Sequence, residues 1–226
     1  MKARSLLVAV LLLVGCNSRP VLRYGPLTYV AIGASDTVGI GAADPDKDAW
    51  VAQLFAHLPA GSRFVRLGVS GSTAEQALTE QVPKAEEAKG DLVTVWLAVN
   101  DFNSLMPVER YAAALDSILI RTSVHGERVF VGNIPDLTTL PSYKAIPSNI
   151  VHGRVDEWNA EIRRVVAKDH AVLVDLVAPS RTLSAQGKSM ISEDGFHPST
   201  DGYRLLSDVF WAAISKDPKI GKRVSR

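Results

Sequence analysis

Acyl transfer by a hydroxyl needs a nucleophile, an imidazole to take its proton, a carboxylate to orient that imidazole, and donors for the oxyanion that forms. Ser35 follows a short apolar run and two small residues, Gly33 and Ala34, whose size leaves its hydroxyl accessible. Far along the chain, Asp194-Gly195-Phe196-His197 sets a carboxylate three residues before an imidazole. A turn at the glycine can bring Asp194 against a ring nitrogen of His197. Pro198 then precedes Ser199 and Thr200, either of which can cap the next helix and fix that turn.

These residues must be carried by elements that bring distant segments together. From Leu27 onward, short apolar runs alternate with longer stretches of helical periodicity, the pattern of parallel strands joined by crossover helices. The strands are predicted over Leu27–Ile32, Arg63–Leu67, Leu92–Val99, Arg128–Gly132 and Ala171–Leu176. The helices are predicted over Ala49–His57, Thr73–Gln81, Val108–Thr122, Asn149–Lys168 and Thr200–Ser215. With no repeat and no low-complexity linker, residues 27–226 read as one α/β domain: a flavodoxin-like three-layer sandwich with a parallel sheet of about five strands. Ligands of such sheets lie outside the carboxyl ends of the strands. Those ends are the polar ones here: Gly33-Ala34-Ser35-Asp36, Gly68 to Thr73, Asn100-Asp101 and Asn133-Ile134-Pro135-Asp136.

Taken together, these segments resemble the SGNH hydrolases, also called the GDSL lipase and esterase family. The match runs from Ser35 in Ile32-Gly33-Ala34-Ser35-Asp36, through Gly71 in Val69-Ser70-Gly71-Ser72-Thr73 and Asn100 in Val99-Asn100-Asp101, to Asp194-Gly195-Phe196-His197-Pro198. The resemblance implies the SGNH hydrolase fold, with Ser35 as nucleophile, His197 as base and then acid, and Asp194 as its orienter. It also implies an oxyanion hole made of the Ser35 and Gly71 backbone N–H groups and the Asn100 side-chain amide. Gly68 competes with Gly71, but the Ser-Gly-x-Thr context matches the family better. The expected activity is hydrolysis of carboxylic esters, thioesters included, of small-molecule or lipid substrates through an acyl-Ser35 intermediate. The alternatives are O-deacetylation of envelope glycans and a non-catalytic ligand-binding lipoprotein. Two departures stand out: the family's Gly-Asp-Ser is Gly33-Ala34-Ser35, and its Gly-Gly-Asn-Asp is Ala98-Val99-Asn100-Asp101. The first removes a carboxylate beside the serine. The second puts the bulkier Val99 near the floor of the site.

Other chemistries are excluded or unsupported. Lys and Arg number 25 against 24 Asp and Glu, so no basic footprint for nucleic acid exists. One cysteine makes neither an intrachain disulfide nor a cysteine-paired metal site. His57, His125, His152 and His170 lack neighbours at metal-ligand spacing, and neither Gly39-Ile40-Gly41 nor Gly187-Lys188-Ser189 completes a nucleotide fingerprint. No metal or cofactor is expected. Asp101, Asp136 and Asp175 read as turn or capping residues. The Ile134 to Pro147 loop, with three prolines and several apolar residues, is expected to wall an acyl pocket.

The first fifteen residues carry Lys2 and Arg4 and then an apolar run too short to span a bilayer. Leu13-Val14-Gly15-Cys16 resembles the lipobox of bacterial lipoprotein signal peptides, which implies lipidation of Cys16 after cleavage. Residues 16–26 would then be the lipidated cysteine and a short spacer. The expected location is the bacterial cell envelope, with the domain tethered to a membrane on its periplasmic or extracellular face. Oligomeric state is not legible in the sequence.

Overall fold

The computed structural model describes residues 24–186 and 190–224. The predicted leader and Cys16 lie outside them. β1 (Thr28–Gly33) leads through one helical turn, α1 (Ser35–Val38), to α2 (Pro45–Asp48) and α3 (Trp50–Ala56). β2 (Arg63–Arg66) is followed by α4 (Ala74–Glu80) and α5 (Val82–Ala88), and β3 (Leu92–Trp96) by α6 (Val99–Asn103) and α7 (Val108–Arg121). β4 (Arg128–Gly132) continues into two 3-10 turns, Leu137–Thr139 and Pro141–Tyr143, and the long α8 (Ser148–Lys168). β5 (Val172–Val174), α9 (Val177–Gln186), α10 (Thr200–Lys216) and α11 (Gly221–Val224) complete the described chain.

The five strands pair only in parallel, in the order β2-β1-β3-β4-β5. This is the doubly wound order of flavodoxin-like folds, and the three layers follow from side-chain alternation. Val30, Ile32, Val93, Val95, Val129 and Val131 face one core with Trp158 and Ile162 of α8. Tyr29, Ala31, Leu92, Trp96 and Phe130 face the other, with Trp50 of α3 and Phe210 of α10. Aromatic packing pins each layer. Trp50 meets Trp96 edge-on at 5.9 Å and Phe210 at 4.3 Å, while Trp158 meets Phe102 at 5.6 Å and Tyr111 at 5.2 Å. Such pairs add about 0.5–1.5 kcal/mol each beyond area burial.

The third strand is shorter than its apolar run predicts. It ends at Trp96, and Ala98 turns the chain with φ 86° and ψ −40° before Val99 opens α6. Buried Leu97 and Ala98 extend the apolar run beyond the strand, because the turn is packed in the same core. Within the predicted spacer, Gly25 N–H donates to the Arg223 carbonyl at 3.3 Å and the Pro26 carbonyl accepts from Arg223 Nη2 at 3.3 Å. The described part of that segment is therefore held against α11. Among the described residues, no helix is long and apolar enough to cross a membrane.

At the carboxyl ends of the strands, side chains replace the ladder. Gln81, buried between α4 and α5, accepts from the Gly33 N–H with Oε1 at 3.0 Å and donates through Nε2 to the Gly33 carbonyl at 2.9 Å and Ser72 Oγ at 3.1 Å. Asn159 of α8 makes the same two-point grip on Ile134, both bonds at 2.9 Å. A buried N–H without an acceptor costs about 1–3 kcal/mol. Gln81→Leu, which strands the Gly33 N–H, should lower stability by about 2 kcal/mol in urea unfolding.

Candidate active site

β1 ends in Gly33 and hands the chain through Ala34 to Ser35, the first residue of α1. Glycine is required at 33 because a Cβ there would sit 2.0 Å from Thr37 Oγ1 and 2.9 Å from the Trp96 carbonyl oxygen. The Ser35 N–H belongs to the first helical turn, where no earlier helical carbonyl can accept it.

His197 arrives from the loop before α10. Asp194 Oδ1 accepts from the N–H groups of Phe196 and His197, at 2.8 and 2.9 Å, and from Ser192 Oγ at 2.8 Å. Its Oδ2 lies 2.6 Å from His197 Nδ1. Burial pushes the Asp194 carboxyl up, but the His197 ring and these donors outweigh it and hold the group well below the usual carboxylate range. An ionised Asp194 can only accept, so Nδ1 is the protonated ring nitrogen and Nε2 is left as the acceptor. His197 Nε2 is 2.9 Å from Ser35 Oγ. The loop is fixed from outside by the Ile191–Pro198 bridge, by Ser142, whose N–H and Oγ–H both donate to the Gly195 carbonyl, and by the Ser199 cap of α10.

The other predicted residues are placed less directly. Asn100, in the first turn of α6, shares a small cleft with Ser35 and donates through Nδ2 to the Ser72 carbonyl at 3.0 Å. An amide nitrogen carries two protons, so one remains for a ligand. Gly71 does not line this cleft; it reaches the site through its neighbour Ser72. Its φ of 79° favours glycine, and nothing lies within 4 Å of where a Cβ would point. Gly68 is instead packed on Thr37, its missing Cβ 2.6 Å from Thr37 Cγ2. That makes Gly68 a packing position and leaves Gly71 as the exposed loop glycine. Asp101 is buried and accepts the Ala74 N–H that opens α4, Asp136 caps a 3-10 turn, and Asp175 accepts from the Val177 N–H. Val99 lines the cleft wall, but the backbone strain in this segment sits on Ala98, whose positive φ costs roughly 1–2 kcal/mol for a residue with a Cβ.

A second, larger pocket opens beside the cleft, with about 630 Å³ of empty space counting its mouth. Trp96, Val99 and Phe196 line both spaces, and Leu137 and Leu140 of the predicted loop wall the larger one with Ile191 and Leu206. Asp36 also lines both, and sequence reasoning gave it no role. Gln81 and the Trp96 and Leu206 walls were missed as well. None has a local signature, since each acts through residues distant in the chain.

The Asp36 carboxyl is pushed up to about 6: burial outweighs the favourable His197 charge and the Tyr203 hydroxyl, and the Asp194 charge adds to the rise. An unfolded aspartate ionises near pH 4, so between about pH 4 and 6 the folded chain holds a proton that the unfolded chain has released. Stability contributed by the protonated form is present at the acid end of that window and lost as pH rises through it. Asp36→Asn should therefore raise unfolding stability by about 1–2 kcal/mol at pH 7.5, after discounting for solvent access, and change it little at pH 4. Urea unfolding at the two pH values checks this.

Comparison with known proteins places this geometry in a family. Residues 31–205 match the model of the GDSL-like Lipase/Acylhydrolase family. The uncharacterized protein YpmR of Bacillus subtilis (strain 168) is 21% identical over 217 residues, covering 84% of this chain and 82% of that protein. Among solved structures, TesA superposes with TM-score 0.68 at 23% identity, covering 83% of this chain and 97% of that one. A catalytic mutant of Axe2, an acetylxylan esterase from Geobacillus stearothermophilus, superposes with TM-score 0.70 at 18% identity, covering 91% and 100%. At these identities the structures speak for the fold, and the family match carries the rest. The chain belongs to the GDSL-like lipase/acylhydrolase family and is an ester hydrolase of the SGNH type.

Proposed function

We propose that this protein hydrolyses carboxylic esters through an acyl intermediate on Ser35, without a cofactor. The observation that carries the reading is the continuous path from Ser35 Oγ to His197 Nε2 at 2.9 Å and from His197 Nδ1 to Asp194 Oδ2 at 2.6 Å. As Ser35 Oγ attacks the carbonyl carbon, its proton passes to Nε2, and ionised Asp194 stabilises the resulting imidazolium. The carbonyl oxygen gains negative charge. The free proton of the Asn100 amide and the Ser35 N–H are assigned to it, and the Gly71 N–H, outside the cleft lining but on the loop that Ser72 ties to Asn100, is the third donor the family resemblance implies. When the ester C–O bond breaks, Nε2 returns its proton to the departing alcohol. Water then repeats the sequence on the acyl-serine, releasing the acid and restoring the hydroxyl.

The pocket beside the cleft supports an acyl chain rather than a sugar. Its walls are mostly hydrocarbon and aromatic, whereas a glycan presents hydroxyls that such walls leave unpaired. This pocket, joined to the Ser35 cleft by the shared walls of Trp96, Val99 and Phe196, suits the half of the substrate that stays on Ser35, because the alcohol must leave. Lipidation of Cys16 and an envelope location complete the reading, supported by Lys2, Arg4, the apolar run and Leu13-Val14-Gly15-Cys16.

Ser35→Ala should abolish both ester hydrolysis and labelling by a fluorophosphonate probe; labelling that persists in the variant would relocate the nucleophile. Asn100→Ala should keep labelling but lower kcat by about 10²–10³-fold, the cost of one oxyanion donor. For the anchor, Cys16→Ser in the full chain should move the protein from the detergent-rich to the aqueous phase on cloud-point partition, and an unchanged partition would exclude the lipid tether.

A further inference from the structure

Asp36 is an anomaly in this pocket. It directly follows the proposed nucleophile, and with Trp96, Val99 and Phe196 it lines both the cleft holding Ser35 and the apolar pocket beyond. A carboxylate among such walls needs donors, and among the described residues the side chain that reaches it is poorly placed to supply one. The Tyr203 hydroxyl lies 3.4 Å from Asp36 Oδ1 but 2.6 Å from the Ile40 carbonyl. A phenol has a single proton, and the shorter, better bond takes it. Asp136, the other acid on the pocket wall, is the opposite case: Arg181, Thr138 and His152 all bond its two oxygens. The pocket therefore presents one carboxylate held by three side chains and one served by its own backbone N–H and a distant hydroxyl, and the latter sits next to the reacting centre. Burial pushes the Asp36 carboxyl up to about 6, so above that pH it is an ionised acceptor.

We propose that Asp36 selects the acyl chain: the pocket takes a short, otherwise apolar acyl group bearing a hydrogen-bond donor, a hydroxyl or an ammonium, within a few bonds of the carbonyl. The reach follows from the lining: Asp36 borders both the cleft that holds Ser35 and the pocket beside it. The acyl half is the one selected because it remains on Ser35 in the enclosed space while the alcohol departs. This inference rests on the acyl-Ser35 reading above, and its test separates the two.

The experiment compares kcat/KM for the methyl esters of butyrate, 3-hydroxybutyrate and 3-aminobutyrate by pH-stat titration, in the wild type and in Asp36→Leu and Asp36→Asn. The ratio of donor-bearing to plain ester is the readout, because a general loss of catalysis cancels in it. The wild type should favour at least one donor-bearing ester by about tenfold or more, the range of a hydrogen bond to a charged acceptor. Asp36→Leu should bring that ratio to one or below. The near-isosteric Asp36→Asn keeps an acceptor oxygen and loses the charge, so it should retain part of a hydroxyl preference and lose an ammonium preference. Fluorophosphonate labelling of each variant shows that the site is assembled. Equal ratios in the wild type and Asp36→Leu, with labelling intact, overturn the role of Asp36 and leave ester hydrolysis standing. Absence of both labelling and hydrolysis in the wild type overturns both.

Discussion

A parallel sheet solves its own hydrogen bonding only along its length; at the carboxyl ends the ladder stops while the backbone is still buried, and every N–H and C=O left there needs a partner. In this protein the partners are side-chain amides and carboxylates from distant elements. Gln81 grips Gly33, and Asn159 grips Ile134. Asn133 Oδ1 accepts the Leu176 N–H at 2.7 Å, and the Asn133 carbonyl accepts Trp96 Nε1 at 3.2 Å. Asp101 receives the first N–H of α4. Each bond contributes modestly, but each absent one would cost more than it contributes, so the strand ends are held in one arrangement. Because Gln81 also donates to Ser72 Oγ, the grip on Gly33 ties the turn before Ser35 to the loop that carries Gly71. The requirement to satisfy buried backbone is thus what registers the turn before Ser35 against the loop that carries Gly71.

That rigid rim lets the site hold groups that are individually unfavourable. Ala98 keeps a positive φ without being glycine, and Asp36 keeps a carboxyl in a largely apolar place with its nearest hydroxyl committed elsewhere. Both lie at the ends of central strands, within one or two residues of Ser35 and Asn100. Such departures cluster where the surrounding structure over-determines the backbone, and here the aromatic packing around Trp96 and Trp158 does so from both faces of the sheet.

Much of this was legible in the sequence. The apolar runs located all five strands, the rule that ligands lie at strand ends picked out the segments Gly33–Asp36, Gly68–Thr73 and Asn100-Asp101, and the family resemblance singled out Gly71 within the second. The hydroxyl, imidazole and carboxylate fall together as their residue types and spacing implied, across 162 positions between Ser35 and His197. The end of β3 was misjudged because a buried turn is as apolar as a buried strand, and only backbone angles distinguish them. Asp101 reads as a capping residue and does cap, on a helix from another segment, whereas Gln81 was opaque for a different reason: a side chain that serves another segment's backbone leaves no local pattern. Asn159 is an intermediate case. It lies among Val155, Trp158, Ile162 and Val166 on the buried face of α8, and a lone amide on such a face is itself a sign of backbone to be satisfied.

His197 and the pocket wall are in direct contact. Phe196 lines the pocket, packs edge-on to the neighbouring His197 ring at 4.8 Å and stacks on Tyr143 at 6.4 Å, while Ser142 holds the Gly195 carbonyl. A group that fits the pocket leaves Phe196 in place and His197 aligned between Asp194 and Ser35. Because Phe196 packs on the His197 ring, a group that forced Phe196 outward would be expected to displace the imidazole and lengthen its 2.9 Å bond to Ser35. Discrimination against oversized substrates should consequently fall on the chemical step, in kcat, more than on binding. Phe196 abuts the His197 ring and Asp36 follows Ser35, so the walls of the pocket and the Ser35–His197–Asp194 chain are built from adjoining residues and cannot vary independently.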